Sequence, residues 1–471
     1  MLFNSFTFLV FFAAVLFFHR LPLPWAAKKA NLLVASYLFY AAWNPPFVVL
    51  LWISTLTDWY AARGIARSAT VSRRRALLVA SLVVNLGLLG YFKYAGFLLE
   101  NLVWVLRFAG IDFEPAAPDI ILPLGISFYT FQTLSYSIAV YRRDAEPSKS
   151  FVDYALFVTF FPQLVAGPIV RSDVLLPQFA TPRQADARQL GWGLVLFTFG
   201  IFQKTVLADA LLAPTADLVY GAPSNAGALD AWIGTLAFSG QIFFDFAGYS
   251  SCAVGTACCL GFWVPDNFRY PYASLGFSDF WRRWHVSLSS WLRDYLYISL
   301  GGNRVGVGRT YVNLMLTMLI GGLWHGASWH FVVWGALHGV YLVVERWCRR
   351  FTAAATALRG GFQRLLVALF TFVTVTVTWS FFRAGSFAAA ARIVKAMFDG
   401  ARSELVDRGG AVQVGAVIAV TFAVQWWLRD NDLEQRFAHL SLAARSLLLV
   451  ALISSIVLAP GDDRAFIYFQ F

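Results

Sequence analysis

Four of the chain's six histidines, His285, His325, His330 and His338, fall within one stretch of the sequence. An imidazole with an ordinary pKa of about 6.5 takes and returns a proton near neutral pH. Acyl transfer from a thioester to a hydroxyl needs such a base, and it needs water kept out. The run NLMLTMLIGGLWHGASWHFVVWGALHGVYLVVER places His325, His330 and His338 in or near an apolar span. Burying an ionisable group there is costly, so function is the default reading. His325 is the first candidate, because Gly321, Gly322 and Gly326 flank it and let another backbone, or a bound chain, approach closely. His330, Trp334, His338 and Tyr341 share a helical face, which reads as packing with hydrogen bonds. No GxSxG elbow lies near these histidines, so a serine hydrolase has no support.

His285 belongs to FSDFWRRWHVSLSSWLRDYLYISLGGNR. Helical spacing puts Trp281, Trp284, His285, Leu288, Trp291, Leu292 and Tyr295 on one face, with Arg282, Arg283, Ser287, Ser290, Arg293 and Asp294 on the rest. This predicts one amphipathic helix, too charged to span, lying in the membrane interface or lining a water-filled cleft. The plain reading of His285 is a core histidine satisfied by a backbone carbonyl. Arg282 and Arg283, with Trp281 and Trp284 beside them, are candidate contacts for a phosphate-bearing donor, since a guanidinium fork suits phosphate. They serve equally as lipid-headgroup anchors. Asp245, amid the phenylalanines of GQIFFDFAGYSS, could orient a histidine, bind a partner or cap a helix. Asp245, Asp294 and Asn303 complete the expected polar core. Gln163 and Arg171 flank a Gly167-Pro168 break that ends or kinks a helix.

These residues need a membrane scaffold. The chain is 59% hydrophobic and only 13% charged, about half the charge of a soluble domain. Apolar runs recur throughout and predict an all-α polytopic protein with about eleven or twelve transmembrane helices, plus interfacial or re-entrant pieces. The net charge of +11 does not indicate nucleic-acid binding. The basic residues sit in short loops such as RGIARSATVSRRR and ERWCRRF, the positive-inside pattern. That assignment puts the last span running outward and the terminal FIYFQF on the external side. The four cysteines show no metal or disulfide spacing. No soluble domain or internal repeat is visible, so residues 1–471 read as one membrane domain with a polar, aromatic core at 265–339 and a tail at 460–471.

The stretches LPLGISFYTFQTLSYSIAVYR, FPQLVAGPI, QIFFDFAGYS, FWRRWHVSLSSWLRDYLYISLGGNR, MLIGGLWHGASWHFVVWGALHG and FIYFQF, in that order, resemble the membrane-bound O-acyltransferase family. The likeness is to its bacterial branch, which O-acetylates alginate, cellulose and peptidoglycan and D-alanylates teichoic acid. The resemblance implies tilted helices around a central funnel in the bacterial inner membrane. It implies that His325 matches the essential histidine and that His285 lies near it. It implies no permanently bound cofactor, with a cytoplasmic thioester as donor, either acetyl-coenzyme A or an acyl carrier protein. A secreted or periplasmic acyltransferase partner would pass the acyl group to a polysaccharide. His330 is an addition to the family pattern, and Ala247 stands where serine is usual in the alginate-like proteins.

The tail then has two readings. FIYFQF is an apolar plug for a groove, or it brings the Tyr468 hydroxyl near His325 as an acyl relay. Two other classes compete with acyl transfer. A secondary transporter would need intramembrane carboxylates, of which Asp245 is one of few, and matched broken helices, which are missing. A haem or quinone protein lacks a CxxCH signal.

Overall fold

The computed structural model describes residues 1–116, 118–351, 360–400, 402–459 and 464–467. Every regular element among them is a helix. The helical stretches Val71–Phe108, Ala187–Gly221, Ala228–Cys259, Gly361–Arg383 and Arg408–Leu428 are long and apolar enough to cross a membrane. Phe6–Arg20 and Leu442–Leu458 are shorter apolar helices. The all-α polytopic expectation holds, and among the described residues fewer helices are long and apolar enough to cross a membrane than the count of apolar runs suggested. The LPLGISFYTF run shows why. It yields the Ile126–Arg142 helix, which is buried along almost all of its length. Protein, not lipid, covers its hydroxyl and amide side chains. Lipid-facing surface is found instead at exposed apolar residues such as Phe6, Trp104, Phe108, Leu447 and Leu458.

The chain divides into two compact units, Met1–Leu194 with Ala253–Pro265, and Val195–Cys252 with Asp266–Phe471. In the first, the fully buried Asp58 of the Val48–Arg67 helix accepts hydrogen bonds from Ser81, from Ser137 at 2.8 Å and from Asn85 at 2.8 Å. One carboxylate thereby ties three helices together, and polar side chains in an apolar protein hold helices in this way. Gln163 belongs to the same unit and donates to the Phe157 carbonyl at 3.1 Å.

The second unit is organised on residues 228–252 of the Ala228–Cys259 helix, whose 32 residues span about 48 Å at 1.5 Å per residue. That exceeds the roughly 30 Å hydrocarbon core, so the helix tilts or projects. Phe238, Ile242, Phe243, Trp284, Trp334, Trp379 and Phe382 pack into its apolar core.

The predicted single amphipathic helix is broken. Phe277–Arg283 and Val286–Trp291 are separate short helices, followed by a π-helical turn at Leu292–Tyr297. Trp284 is extended and His285 is left-handed, at φ 43° and ψ 55°. The physical reason lies upstream. Val286 donates to the Asn267 carbonyl at 2.9 Å, and Arg269 donates to the Arg283 carbonyl at 2.9 Å. These bonds replace helical ones at the break, and they offset a left-handed conformation that costs about 1–2 kcal/mol.

Asp279 anchors the first short helix. It accepts from Leu275 N–H at 2.9 Å, from Arg283 at 3.0 Å and from Arg429 at 2.8 Å. Burial alone would push this carboxyl up, but the Leu275 N–H and the two guanidiniums hold it below its ordinary value. A depressed folded pKa means the stabilisation is complete above the unfolded value of about 3.9 and is lost as pH falls through the folded one. Asp279→Asn is therefore expected to lower the thermal midpoint near pH 6 and to match the parent near pH 2. Thermal unfolding in detergent at the two pH values checks this, and equal midpoints near pH 6 would contradict it.

Candidate active site

His325 is the last residue of the Val307–His325 helix and is 2% exposed. Its Nδ1 lies 2.6 Å from the Gly321 carbonyl oxygen. A carbonyl only accepts, so Nδ1 carries the proton, and in the neutral ring Nε2 carries the lone pair. The rings of Trp324, Trp334 and Phe382 surround the imidazole edge-on at centroid distances of 5.1, 4.9 and 5.6 Å. The result is a basic nitrogen of defined tautomer in an apolar enclosure.

The glycines place this ring. The Val307–His325 and Trp329–Phe351 helices form a hairpin whose backbones touch. A Cβ on Gly322 would stand 2.3 Å from the Phe331 carbonyl, and one on Gly335 would stand 2.3 Å from the Met318 carbonyl. The close approach expected from the glycine flank is thus made by the chain's own next helix.

His285 is fully buried. Its Nδ1 lies 3.3 Å from the side-chain oxygen of Asn267, which also accepts from the Ser287 hydroxyl at 2.6 Å. The Asn267 amide nitrogen donates to Ser250 at 3.0 Å. Asn267 therefore holds both the His285 ring and the backbone turn that carries it. At Nδ1 the described partner of His285 is a side-chain amide, where the plain reading expected a backbone carbonyl. Trp324 packs edge-on against His285 at 5.9 Å and against His325 at 5.1 Å, so one indole joins the two imidazoles.

The other two histidines are packing elements, as their shared face suggested. His338 Nε2 donates to the Thr378 hydroxyl at 3.1 Å, because that hydroxyl gives its own proton to the Val375 carbonyl. His330 Nδ1 bonds the Phe381 carbonyl at 3.0 Å.

The arginine pair separates. Arg283 is committed to Asp279 and to the carbonyls of Arg269 and Arg429, at 3.1 and 3.0 Å. Arg282 is exposed and makes no ion pair among the described residues. Trp284 is fully buried among Phe268, Phe280 and Trp379. Trp281 packs on Trp334 and His338. Asp294 pairs with its exposed neighbour Arg293 at 2.6 Å. Asn303 is exposed, and the buried amide in this region is Asn313, which donates to the carbonyls of Leu300 and Gly302.

Asp245 is taken up by two groups. One oxygen is ion-paired with Lys204, which also binds Asp209 at 2.9 Å. The other accepts the backbone N–H of Ile467 at 2.8 Å. Tyr468, the next residue, lies outside the described residues. Lys204, Asp209, Asn267 and Asn313 were not singled out from the sequence. The charges of QKTVLADALL within an apolar run were a signal for the first two, whereas VPDNF carried none for Asn267.

Residues 143–384 match the membrane-bound O-acyltransferase family. A protein of Azotobacter vinelandii named "probable alginate O-acetylase" is 44% identical over 401 residues, covering 83% of this chain and 78% of that protein. A Helicobacter pylori peptidoglycan O-acetyltransferase is 37% identical over 430 residues, covering 84% of this chain and 80% of that protein. A Streptococcus thermophilus teichoic acid D-alanyltransferase is 30% identical over 272 residues, covering 54% of this chain and 65% of that protein.

The hairpin contact makes a direct prediction. Gly322→Ala is expected to cost about 1–3 kcal/mol by overpacking, seen as a lower thermal midpoint. Gly308→Ala, with nothing within 4 Å of the added Cβ, is the control and is expected to leave the midpoint unchanged or raised.

Proposed function

Because the chain belongs to the membrane-bound O-acyltransferase family, and is a multi-pass membrane enzyme of that class, we propose that it carries acetyl groups from a cytoplasmic thioester to an external polysaccharide. The relatives' names favour alginate or a related polymer as the acceptor, and a cytoplasmic donor with an external acceptor places the enzyme in the bacterial inner membrane. The observation that carries the proposal is the buried His325 with its Nδ1 proton committed to Gly321, which leaves Nε2 to act as base.

The reaction follows from that nitrogen. His325 Nε2 takes the proton of an acceptor hydroxyl as its oxygen attacks the thioester carbonyl. The carbon–sulfur bond breaks, and the imidazolium returns the proton to the departing thiolate. The aromatic wall excludes water, which would otherwise hydrolyse the donor. Arg282, exposed and without an ion pair among the described residues, is available to a phosphate of acetyl-coenzyme A or of an acyl carrier protein's prosthetic arm. His285, fixed by Asn267, packs on Trp324 and so helps position that indole against His325.

On this reading the first acceptor is the Tyr468 hydroxyl, and a periplasmic acyltransferase partner then moves the acetyl ester to the polymer. Its support is that the described chain leads through Phe466, which packs on Phe246 at 5.7 Å, and Phe246 packs on His285 at 4.6 Å.

His325→Gln is expected to reduce incorporation of labelled acetyl from acetyl-coenzyme A into polymer by about 10²-fold or more. The assay uses membranes with matched protein levels, and unchanged incorporation would contradict the assignment. Tyr468→Phe is expected to abolish transfer and any acetyl-tyrosine found by mass spectrometry of the carboxyl-terminal peptide. Full transfer by Tyr468→Phe would remove the relay while leaving the role of His325 standing.

A further inference from the structure

The segment before Tyr468 is held by three kinds of contact. Ile467 is 6% exposed, and its backbone N–H donates to Asp245 Oδ2 at 2.8 Å. Phe466 is 1% exposed and stacks on Tyr249 at 4.9 Å. Arg464 pairs with Asp217, which also takes Arg383 at 2.7 Å. Asp245 and Tyr249 stand one turn apart on the Ala228–Cys259 helix, so the main-chain bond and the ring stack come from one helical face.

A buried carboxylate needs a counter-charge, and Lys204 supplies it. Lys204 sits in the π-helical stretch Gln203–Leu212, a local widening of the kind that often marks functional positions. The lysine is shared with Asp209 at 2.9 Å, so it is fixed from two sides. It leaves the second oxygen of Asp245 facing the tail. That oxygen reads a backbone N–H, not a side chain. The bond therefore tolerates any residue at 467 that keeps an N–H, and proline does not.

We propose that Asp245, neutralised by Lys204, is a positioning residue that latches the carboxyl-terminal tail through the Ile467 N–H. This rests on the acetyl-transfer reading for its purpose, not for its geometry. The latch fixes the register of the tail in the second unit, with Phe466 packed against the Phe246 ring that also covers His285. Asp245 takes no proton from substrate. Its carboxylate needs only to accept a hydrogen bond.

The test separates docking from catalysis. Full-length protein carries Ile467→Cys, which keeps the N–H, in a background with Cys252, Cys258, Cys259 and Cys348 replaced by serine. The rate of maleimide labelling in membranes reports release of the tail. Labelling is expected to be slow with Asp245 intact and about tenfold faster with Asp245→Ala, the scale of one lost hydrogen bond to a charged group. The neutral pair Asp245→Asn with Lys204→Met keeps an acceptor for the N–H and is expected to stay slow. With native Ile467 as reference, Ile467→Pro is expected to lower kcat for acetyl transfer with the KM for acetyl-coenzyme A unchanged, whereas Ile467→Val keeps both. Equal labelling rates with Asp245→Ala and the parent would overturn the latch, whatever acetyl transfer does. Fast labelling in the neutral pair would overturn the hydrogen-bond account in favour of charge alone. Faster labelling in Asp245→Ala with acetyl transfer intact would uphold the latch and remove the tail from the reaction.

Discussion

One hydrogen bond decides what the buried histidine can do. His325 Nδ1 gives its proton to the Gly321 carbonyl one turn back in its own helix. That carbonyl lies in the last full turn of the helix, four residues before His325, and an oxygen with two lone pairs accepts the ring proton beside the helix's own bond. The bond fixes both the ring's direction and its tautomer. It depends in turn on the Gly322–Gly335 contact, since the hairpin brings Trp334 and Phe331 over the helix end. A base held in this way spends no energy on reorganisation when a substrate arrives.

The surroundings divide the work between apolar and charged contacts. The aromatic rings around His325 and His285 exclude water and supply packing worth about 0.5–1.5 kcal/mol per ring pair beyond their area. Charged groups hold the edges of this unit. Asp279 collects Arg283 and Arg429 at the short helix, while Asp245 and Lys204 hold the tail segment. The strained turn at His285 belongs to the first set in its ring contacts and to the second in its anchoring. Asn267 binds its ring, its following backbone and Ser287 together.

The burial of His325 was legible because the residue is a local anomaly. An ionisable side chain among glycines and apolar residues stands out at any reading, and its hairpin contact follows from the same glycines. The packing roles of His330 and His338 were legible from their shared helical face. The break at His285 was not, because helical periodicity continues unbroken through WRRWHVSLSSW while Asn267, from an earlier loop, captures the backbone. The separation of Arg282 from Arg283 was hidden for a similar reason, since Asp279 and the Arg429 carbonyl choose one and leave the other exposed. Apolar runs located the membrane segments, but run length alone does not distinguish a lipid-facing helix from the protein-enclosed Ile126–Arg142. The pairing of Lys204 with Asp245 needs two distant helical stretches to meet, and no local pattern encodes that.

The central claim is that His325 presents a lone pair at Nε2 within an acyltransferase site. Nitrogen-15 NMR of protein labelled at histidine, with the His325 signals assigned by their loss in His325→Gln, reads the tautomer directly. The account predicts a protonated, pyrrole-type Nδ1 and an unprotonated, pyridine-type Nε2 near neutral pH. A proton resident on Nε2 with Nδ1 bare would contradict it.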